Sequence, residues 1–358
     1  MGNIPVSVCM IAKNEERYIE TCLKHLLPYG MEIVVVDTGS TDRTKEIAKK
    51  YTDQVYDFVW INDFAAARNY AAAKAHNNWI LVLDCDEYIQ SLDEKALRIC
   101  MQQHIRHVGM LELHNMKTLE NGEKTYHADK VPRFYNRNFF EYRFRIHEQI
   151  TPKNQLNLSE VRLLTYPLPA LAEHYGYDIP PEEMRVKQYR NLELLKSSIG
   201  ETPFDDYLYF QMGQSYYVLQ DYETAIRCYQ KCLELNDNFE KGFMKLAVMS
   251  YARALEQLAR FEEEKKLLLA YEDKMQTAEF FYTLGSTYQN LGDNLEALLM
   301  LVKVTQMPDF DTLGESAYDT YVRIMQIHGF MGNQEGVSHF KKRLEEYGLS
   351  HGRKIVFQ

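Results

Sequence analysis

The sequence predicts an α/β domain on a Rossmann-like mixed sheet, followed by an all-α domain of helical repeats. Three observations carry that prediction. In the N-terminal part short apolar runs alternate with amphipathic stretches, the grammar of βαβ units. After Pro180-Pro181 the strand-like runs stop. One arrangement of small and aromatic residues then recurs at a fixed spacing.

Taken in order, Val6–Ile11 reads as a buried strand, Glu15–Leu27 as a helix and Ile33–Asp37 as a second strand. Thr41–Tyr51 reads as a helix with Ser40 or Thr41 as its N-cap. Val55–Val59 is a third strand and Asp63–His76 an Ala-rich helix. Trp79–Leu83 is a fourth strand that runs into Asp84-Cys85-Asp86-Glu87. VGMLELHN, KVPRFYNR and YRFRIHEQI then read as strands of a mixed extension, with Asn121-Gly122 as a turn. Leu163–Tyr175 is a further strand. Pro181 suits the first turn of a long helix, Glu182–Ser198, and Pro203 opens the repeats.

Within the repeats, Tyr209, Met212, Gly213, Tyr216, Ala225, Tyr229 and Cys232 are spaced as Phe281, Leu284, Gly285, Tyr288, Ala297, Leu301 and Val304 are. Gly213 and Gly285 lie 72 residues apart, about twice the tetratricopeptide period. Lys241–Asp273 reads as a degenerate repeat between them and Ser316–Tyr347 as a capping one. The small residues let paired helices approach, and the aromatics fill the space between them. The expected organisation is an α/β domain over 1–178, a linker helix over 179–202 and helical repeats over 203–350.

Composition excludes several classes. The chain has 358 residues, 46% of them hydrophobic, which is enough for two ordinary cores. A net charge of −10 argues against a broad nucleic-acid surface while leaving room for a local basic pocket. The start, MGNIPVSVCMIAKNEE, has neither a secretory signal's basic and apolar regions nor a Ser or Thr at position 6 for myristoylation. No segment has the run of roughly 20 apolar residues that spans a bilayer. The cysteines, Cys9, Cys22, Cys85, Cys100, Cys228 and Cys232, form no CxxC pair, so reduced thiols in a cytoplasmic protein are expected.

Four stretches have the residues for chemistry. Asp84 and Asp86, one residue apart at the end of a strand, can hold a divalent cation and through it a diphosphate. Cys85, between them, alternates away from both acids. In IVVVDTGSTDRT, Asp37 closes a strand where a carboxylate can accept from a base imide N–H and a ribose hydroxyl, and Gly39 permits a tight turn. Ile11-Ala12-Lys13-Asn14-Glu15-Glu16 follows the first strand. Arg68 interrupts an Ala-rich helix and can reach a phosphate. In chain order these suit a base, a ribose and a diphosphate.

With MIAKNEE, VVVDTGSTDRT, AAARN and ILVLDCDE, the stretch Pro5–Tyr177 resembles the family 2 glycosyltransferases of the GT-A fold. It is most similar to the bacterial branch with a tetratricopeptide-like tail, which includes peptide S-glycosyltransferases, and lipopolysaccharide core enzymes belong to the same broad branch. The resemblance implies an inverting transferase using a nucleotide-sugar, a UDP-sugar by expectation, and Mn²⁺ or Mg²⁺. It implies that Ile11, Lys13, Glu15 and Asp37 line the nucleoside pocket with Ser40 and Cys85 at its edge. It further implies that Arg68 contacts the nucleotide or its phosphates, that Asp84 holds ribose or metal, and that Asp86 is the principal metal ligand. By analogy with other GT-A enzymes, His174 supplies a third ligand.

The usual acidic pair for the base is missing. Glu148 in Arg145-Ile146-His147-Glu148 takes that place, with His147 as the alternative. The repeats suit a peptide or protein acceptor, and their exposed face suits a homodimer. The competing expectations are a lipopolysaccharide or other glycan acceptor, and a scaffold with a decayed catalytic domain. A nucleotidyltransferase lacks its early Gly-rich signature here.

Overall fold

Apolar residues at every position of VSVCMIA but Ser7, itself buried and bonded to Glu32, make β1 (Val6–Ala12) a strand buried on both faces. Val6, Val8, Met10 and Ala12 join one hydrophobic cluster and Cys9 the other. Parallel to it lie β2 (Glu32–Asp37), β3 (Val55–Asp57) and β4 (Trp79–Val82), in the order β3-β2-β1-β4. Trp79 and Leu81 face one cluster, Ile80 and Val82 the other. The computed structural model behind this description covers residues 4–118, 122–153, 163–176, 179–200, 205–353 and 355.

Four more strands extend the sheet: β5 (Glu87–Leu92), β6 (Val108–Thr118), β7 (Lys124–Asn136) and, later in the chain, β10 (Thr165–His174). They continue from β4 in the order β7-β6-β10-β5, with β7 antiparallel to both neighbours, β10 parallel to β6 and β5 antiparallel to β10. A separate two-stranded sheet pairs β8 (Phe140–Arg143) with β9 (Gln149–Pro152). Helices α1 (Ile19–Leu26), α2 (Thr44–Ala48), α3 (Phe64–Lys74), α4 (Glu94–Gln103) and α5 (Pro181–Ser198) complete the first unit, Met1–Phe204.

The mixed-sheet expectation holds, with local corrections. α1 starts at Ile19 rather than Glu15: residues 16–18 form a turn in which Glu15 O accepts from the Tyr18 and Ile19 N–H groups at 3.0 and 2.9 Å, while the Glu15 and Glu16 N–H groups, without an intrahelical partner, donate to Thr44 Oγ1 and Asp42 Oδ2. α2 covers five residues, and neither Ser40 nor Thr41 caps it. Both bind Asn14, and Asp42 Oδ1 accepts from the Thr44 N–H at 2.9 Å. YRFRIHEQI is not one strand: it breaks at Phe144 (φ 76°) and His147 (φ 50°), giving the β8–β9 hairpin. β5 and α4, capped by Asp93 on the Ala96 N–H, were absent from the sequence reading. Asn121 of the expected turn, Pro203 and Tyr177 lie outside the described residues.

The second unit, Asp205–Gln358, contains helices and the turns between them, and no strand among its described residues. Its helices are α6 (Asp205–Val218), α7 (Tyr222–Leu235), α8 (Gly242–Gln257), α9 (Phe261–Tyr271), α10 (Ala278–Leu291), α11 (Asn294–Val304), α12 (Glu315–Phe330) and α13 (Gln334–Ser350). They pack as consecutive helical hairpins. Gly213 of α6 faces Tyr229 of α7 so closely that a Cβ would lie 2.4 Å from the ring, and at Gly285 it would lie 2.9 Å from Leu301. The predicted close approaches are therefore present in both matching repeats.

Candidate active site

The loops after β1 and β2 are laced together. Ala12 O accepts from the Thr38 N–H and hydroxyl at 2.9 and 3.1 Å. Asn14, at φ 59°, donates its N–H to Ser40 Oγ at 2.9 Å and accepts from the Thr41 N–H at 2.8 Å. Asp37 Oδ2 accepts from the Gly39 and Ser40 N–H groups, both at 3.1 Å. Its Oδ1 is buried with no partner among the described residues. A buried acceptor left unpaired costs about 1–3 kcal/mol, so its retention points to a ligand's donor. Ile11 is half-buried beside this edge, and Lys13 is exposed.

The turn after β4 gathers most of the charge. Arg68, on α3, is only 7% exposed. It donates from Nη2 to Asp84 Oδ1 at 2.9 Å and from Nε to Glu148 Oε1 at 2.6 Å. Arg133, on β7, donates to Asp84 Oδ2 at 2.9 Å and also binds Glu87. Glu87 Oε2 in turn accepts from the Asp84 N–H at 3.0 Å. Burial works to raise the Asp84 carboxyl, but Arg68 and Arg133 hold it well below the usual carboxylate range. Glu87 is pushed the other way, by burial above all and by Asp84 and Asp86. Cys85 lies buried beneath, its Sγ 3.8 Å from Ile11 O.

Asp86 differs from Asp84: among the described residues no arginine holds it. Its Oδ1 is buried and unpartnered, and its Oδ2 is 3.5 Å from His174 Nε2. Asn115 Oδ1 accepts from His174 Nδ1 at 2.8 Å, which directs Nε2 toward Asp86. Burial works against the imidazolium, but Asp86 more than offsets it and raises the His174 pKa. Gly176 closes over the pair, where a Cβ would lie 2.0 Å from Asp86 Oδ2 and 2.7 Å from His174 Nε2. Glu15 is pushed up to about 7, chiefly by burial and then by Asp86 and Asp84.

Carboxylate and imidazole donors side by side, one oxygen orphaned, fit a divalent cation. Among the described residues no three His, Cys, Asp or Glu side chains form a cage. A cation here therefore needs substrate oxygens to complete its shell, as diphosphate-bound Mg²⁺ does.

The β8–β9 connection carries Glu148 and His147. α3 grips it at three points. The Phe64 N–H donates to Arg145 O at 2.8 Å, Arg68 holds Glu148, and Asn69 exchanges both backbone hydrogen bonds with Tyr142 at 2.8 and 2.9 Å. Burial pulls His147 down to about 4, so its ring is neutral near pH 7.

The structure thus brings together Asp84, Arg68 and Glu148, and beside them Asp86 and His174. Arg133, Glu87, Asn115 and Gly176 were missed as participants. Arg133 was detectable as a charge inside the otherwise apolar run VPRFY, and Glu87 as the last residue of DCDE.

The sequence pattern of the family described as "Glycosyl transferase family 2" matches residues 7–150, and two tetratricopeptide repeat patterns match 207–239 and 278–308. A TPR repeat-containing protein of Synechococcus elongatus is 30% identical over 58% of this chain and 51% of its own. The SPbeta prophage-derived glycosyltransferase SunS of Bacillus subtilis is 24% identical over 67% and 55%. The lipopolysaccharide core biosynthesis glycosyltransferase LpsC of Rhizobium meliloti is 31% identical over 26% and 35%. The chain spans about half the length of the first two relatives.

Proposed function

We propose that this chain, whose residues 7–150 match the family 2 glycosyltransferase pattern and whose residues 207–239 and 278–308 match tetratricopeptide repeats, moves a sugar from a UDP-sugar to a peptide or protein side chain with inversion. The observation that carries this is the pairing of an orphaned Asp86 oxygen and His174 with Glu148, bridged through Arg68 and Asp84. Asp37, with one oxygen pinned and one unpaired, receives a donor of the nucleoside. Ile11, Lys13, Glu15, Ser40 and Cys85 border that pocket, and residues 1–178 form the catalytic part.

Asp86 and His174 would hold Mn²⁺ or Mg²⁺. When bound, the cation supplies neutralisation of the charge on the leaving diphosphate. Glu148 takes the proton from the acceptor nucleophile. The nucleophile bonds to the anomeric carbon as its bond to the diphosphate oxygen breaks, and the nucleoside diphosphate leaves with the electron pair. His147, neutral and half-buried at a strained backbone position, shapes the loop that presents Glu148. We place the repeats, 203–350, as the part that binds an extended acceptor, with 179–202 joining the two. The six free thiols, five of them buried, agree with a reducing, cytoplasmic setting.

The Rhizobium relative favours a second reading, a glycan acceptor for the same chemistry. The test is nucleoside diphosphate release from a panel of UDP- and GDP-sugars with and without Mn²⁺, followed by intact-mass analysis of candidate peptides. Metal-dependent release that vanishes in Asp86→Ala supports the proposal. Release from no sugar with either metal overturns it, and release with mass gain only on glycans selects the second reading.

A further inference from the structure

Arg68 has two carboxylates and almost no exposure. Its Nε donates to Glu148 at 2.6 Å, its Nη2 to Asp84 at 2.9 Å, and its planar fork stands beside the Tyr142 ring at 5.6 Å. Of its donor nitrogens only Nη1 is left without a partner among the described residues, and it is buried, so a guanidinium committed to two acids and 7% exposed can offer a nucleotide that one group at most. The neighbouring residue acts on the same target: Asn69 closes two hydrogen bonds on Tyr142, two residues before Phe144, where the β8–β9 bend begins. The N-terminus of α3 adds a third tie through the Phe64 N–H to Arg145 O, with Asp63 capping the helix on the Ala66 N–H at 2.8 Å. One short helix thus holds both sides of a loop that contains two non-glycine residues at positive φ, Phe144 and His147. Strained loops keep one shape only when their surroundings over-determine them.

We propose that Arg68 is a positioning residue. It orients Glu148 toward the acceptor and, by sharing its fork with Asp84, sets that carboxylate in register with the turn that carries Asp86. This rests on the assignment of Glu148 as the base. It departs from the expectation that Arg68 contacts the nucleotide or its phosphates. An arginine acting on the donor contributes to nucleotide affinity, whereas one acting through Glu148 contributes to turnover alone.

Arg68→Lys retains a buried cation that can reach one carboxylate but lacks the fork. The experiment measures UDP binding by calorimetry in Mn²⁺, steady-state transfer, and thermal stability for the wild type, Arg68→Lys, Glu148→Gln and the double variant. The expected result is UDP affinity within about twofold of wild type, donor KM within about twofold, and kcat lower by about 10- to 100-fold. In the Glu148→Gln background the lysine then adds less than about threefold, because both changes remove one unit. A UDP affinity weakened tenfold or more in Arg68→Lys overturns the proposal and returns Arg68 to the donor. Additive losses in kcat overturn it as well. Should Arg68→Lys fail to fold, Arg68→Gln with added methylguanidine replaces it: recovery of kcat without a change in UDP affinity supports positioning, and recovery of affinity refutes it. Full transfer by Glu148→Gln alone instead removes the base assignment, an outcome recognisable without any Arg68 variant.

Discussion

The first unit contains two buried acidic knots, one at each edge of the sheet. At the amino edge, Glu32 binds Ser7 and accepts from Gln54 Nε2 at 2.7 Å, from the His76 N–H at 2.9 Å and from Asn77 Nδ2 at 3.2 Å, with the His76 ring alongside. Both of its oxygens are satisfied, and these bonds outweigh burial and bring its pKa down to about 2. At the carboxyl edge, Asp84 is equally well held, but the carboxylate oxygens Asp86 Oδ1 and Asp37 Oδ1 are buried without partners among the described residues. The contrast separates roles that composition alone confuses. A carboxylate whose bonds are complete locks the fold, while at the strand ends the two unpaired carboxylate oxygens leave places that a ligand's donor or cation can complete, although the Glu32 knot also holds one unpaired atom, Gln54 Oε1.

Breaking each knot gives distinguishable losses. The largest is expected for Glu148→Gln: transfer falls by about 10³-fold with nucleotide binding within about threefold, measured by product formation and calorimetry. Next, Glu32→Ala is expected to destabilise the first unit by about 2–4 kcal/mol in denaturant unfolding, because it strands several donors. Its effect on the turnover of folded molecules should be negligible. The wild-type contribution of Glu32 has a definite pH signature. The folded pKa lies below the unfolded value of 4.5, so stability is present above about pH 4.5 and is lost as the pH falls toward 2. Glu32→Gln should flatten that part of the curve.

Gly176→Ala sharpens the other side of the comparison. Its Cβ collides with Asp86 Oδ2 and His174 Nε2. Metal-dependent UDP affinity is expected to fall by about 10- to 100-fold with the melting temperature nearly unchanged. The smallest expected effect lies in the repeats. Glu264 is buried on α9 with Oε2 unpartnered, and burial pushes it up to about 8. Its contribution is fully present below about pH 4.5 and is lost as the pH rises through 8. Glu264→Gln should therefore raise the melting temperature at pH 9 by a few degrees and leave it nearly unchanged at pH 4.

Much of this was legible in the residues. Central strands buried on both faces announce themselves as unbroken apolar runs, and VVVD and ILVLD were readable for that reason. The repeat glycines were readable because a missing Cβ is a packing requirement, as the Tyr229 contact at Gly213 shows. β5 escaped notice because EYIQSL has no long apolar run and earns its place by pairing with β10, far along the chain. The helix expected from Thr41 failed through competition: Ser40 and Thr41 found a better partner in Asn14 than in the next turn of backbone. Asp84, Asp86, Arg68 and Glu148 could be named singly, but not the link among them, which joins residues up to 80 positions apart.

Asn69 has one more effect. By giving and taking a backbone-type hydrogen bond at Tyr142, its amide imitates a single residue of a third strand beside the β8–β9 pair. That border is thereby stoppered, and no extended chain can dock there by main-chain pairing. On the proposed function, a polypeptide acceptor would come at the hairpin from its β9 flank or by side-chain contacts, and the direction from which Glu148 would be approached is then narrowed by Asn69.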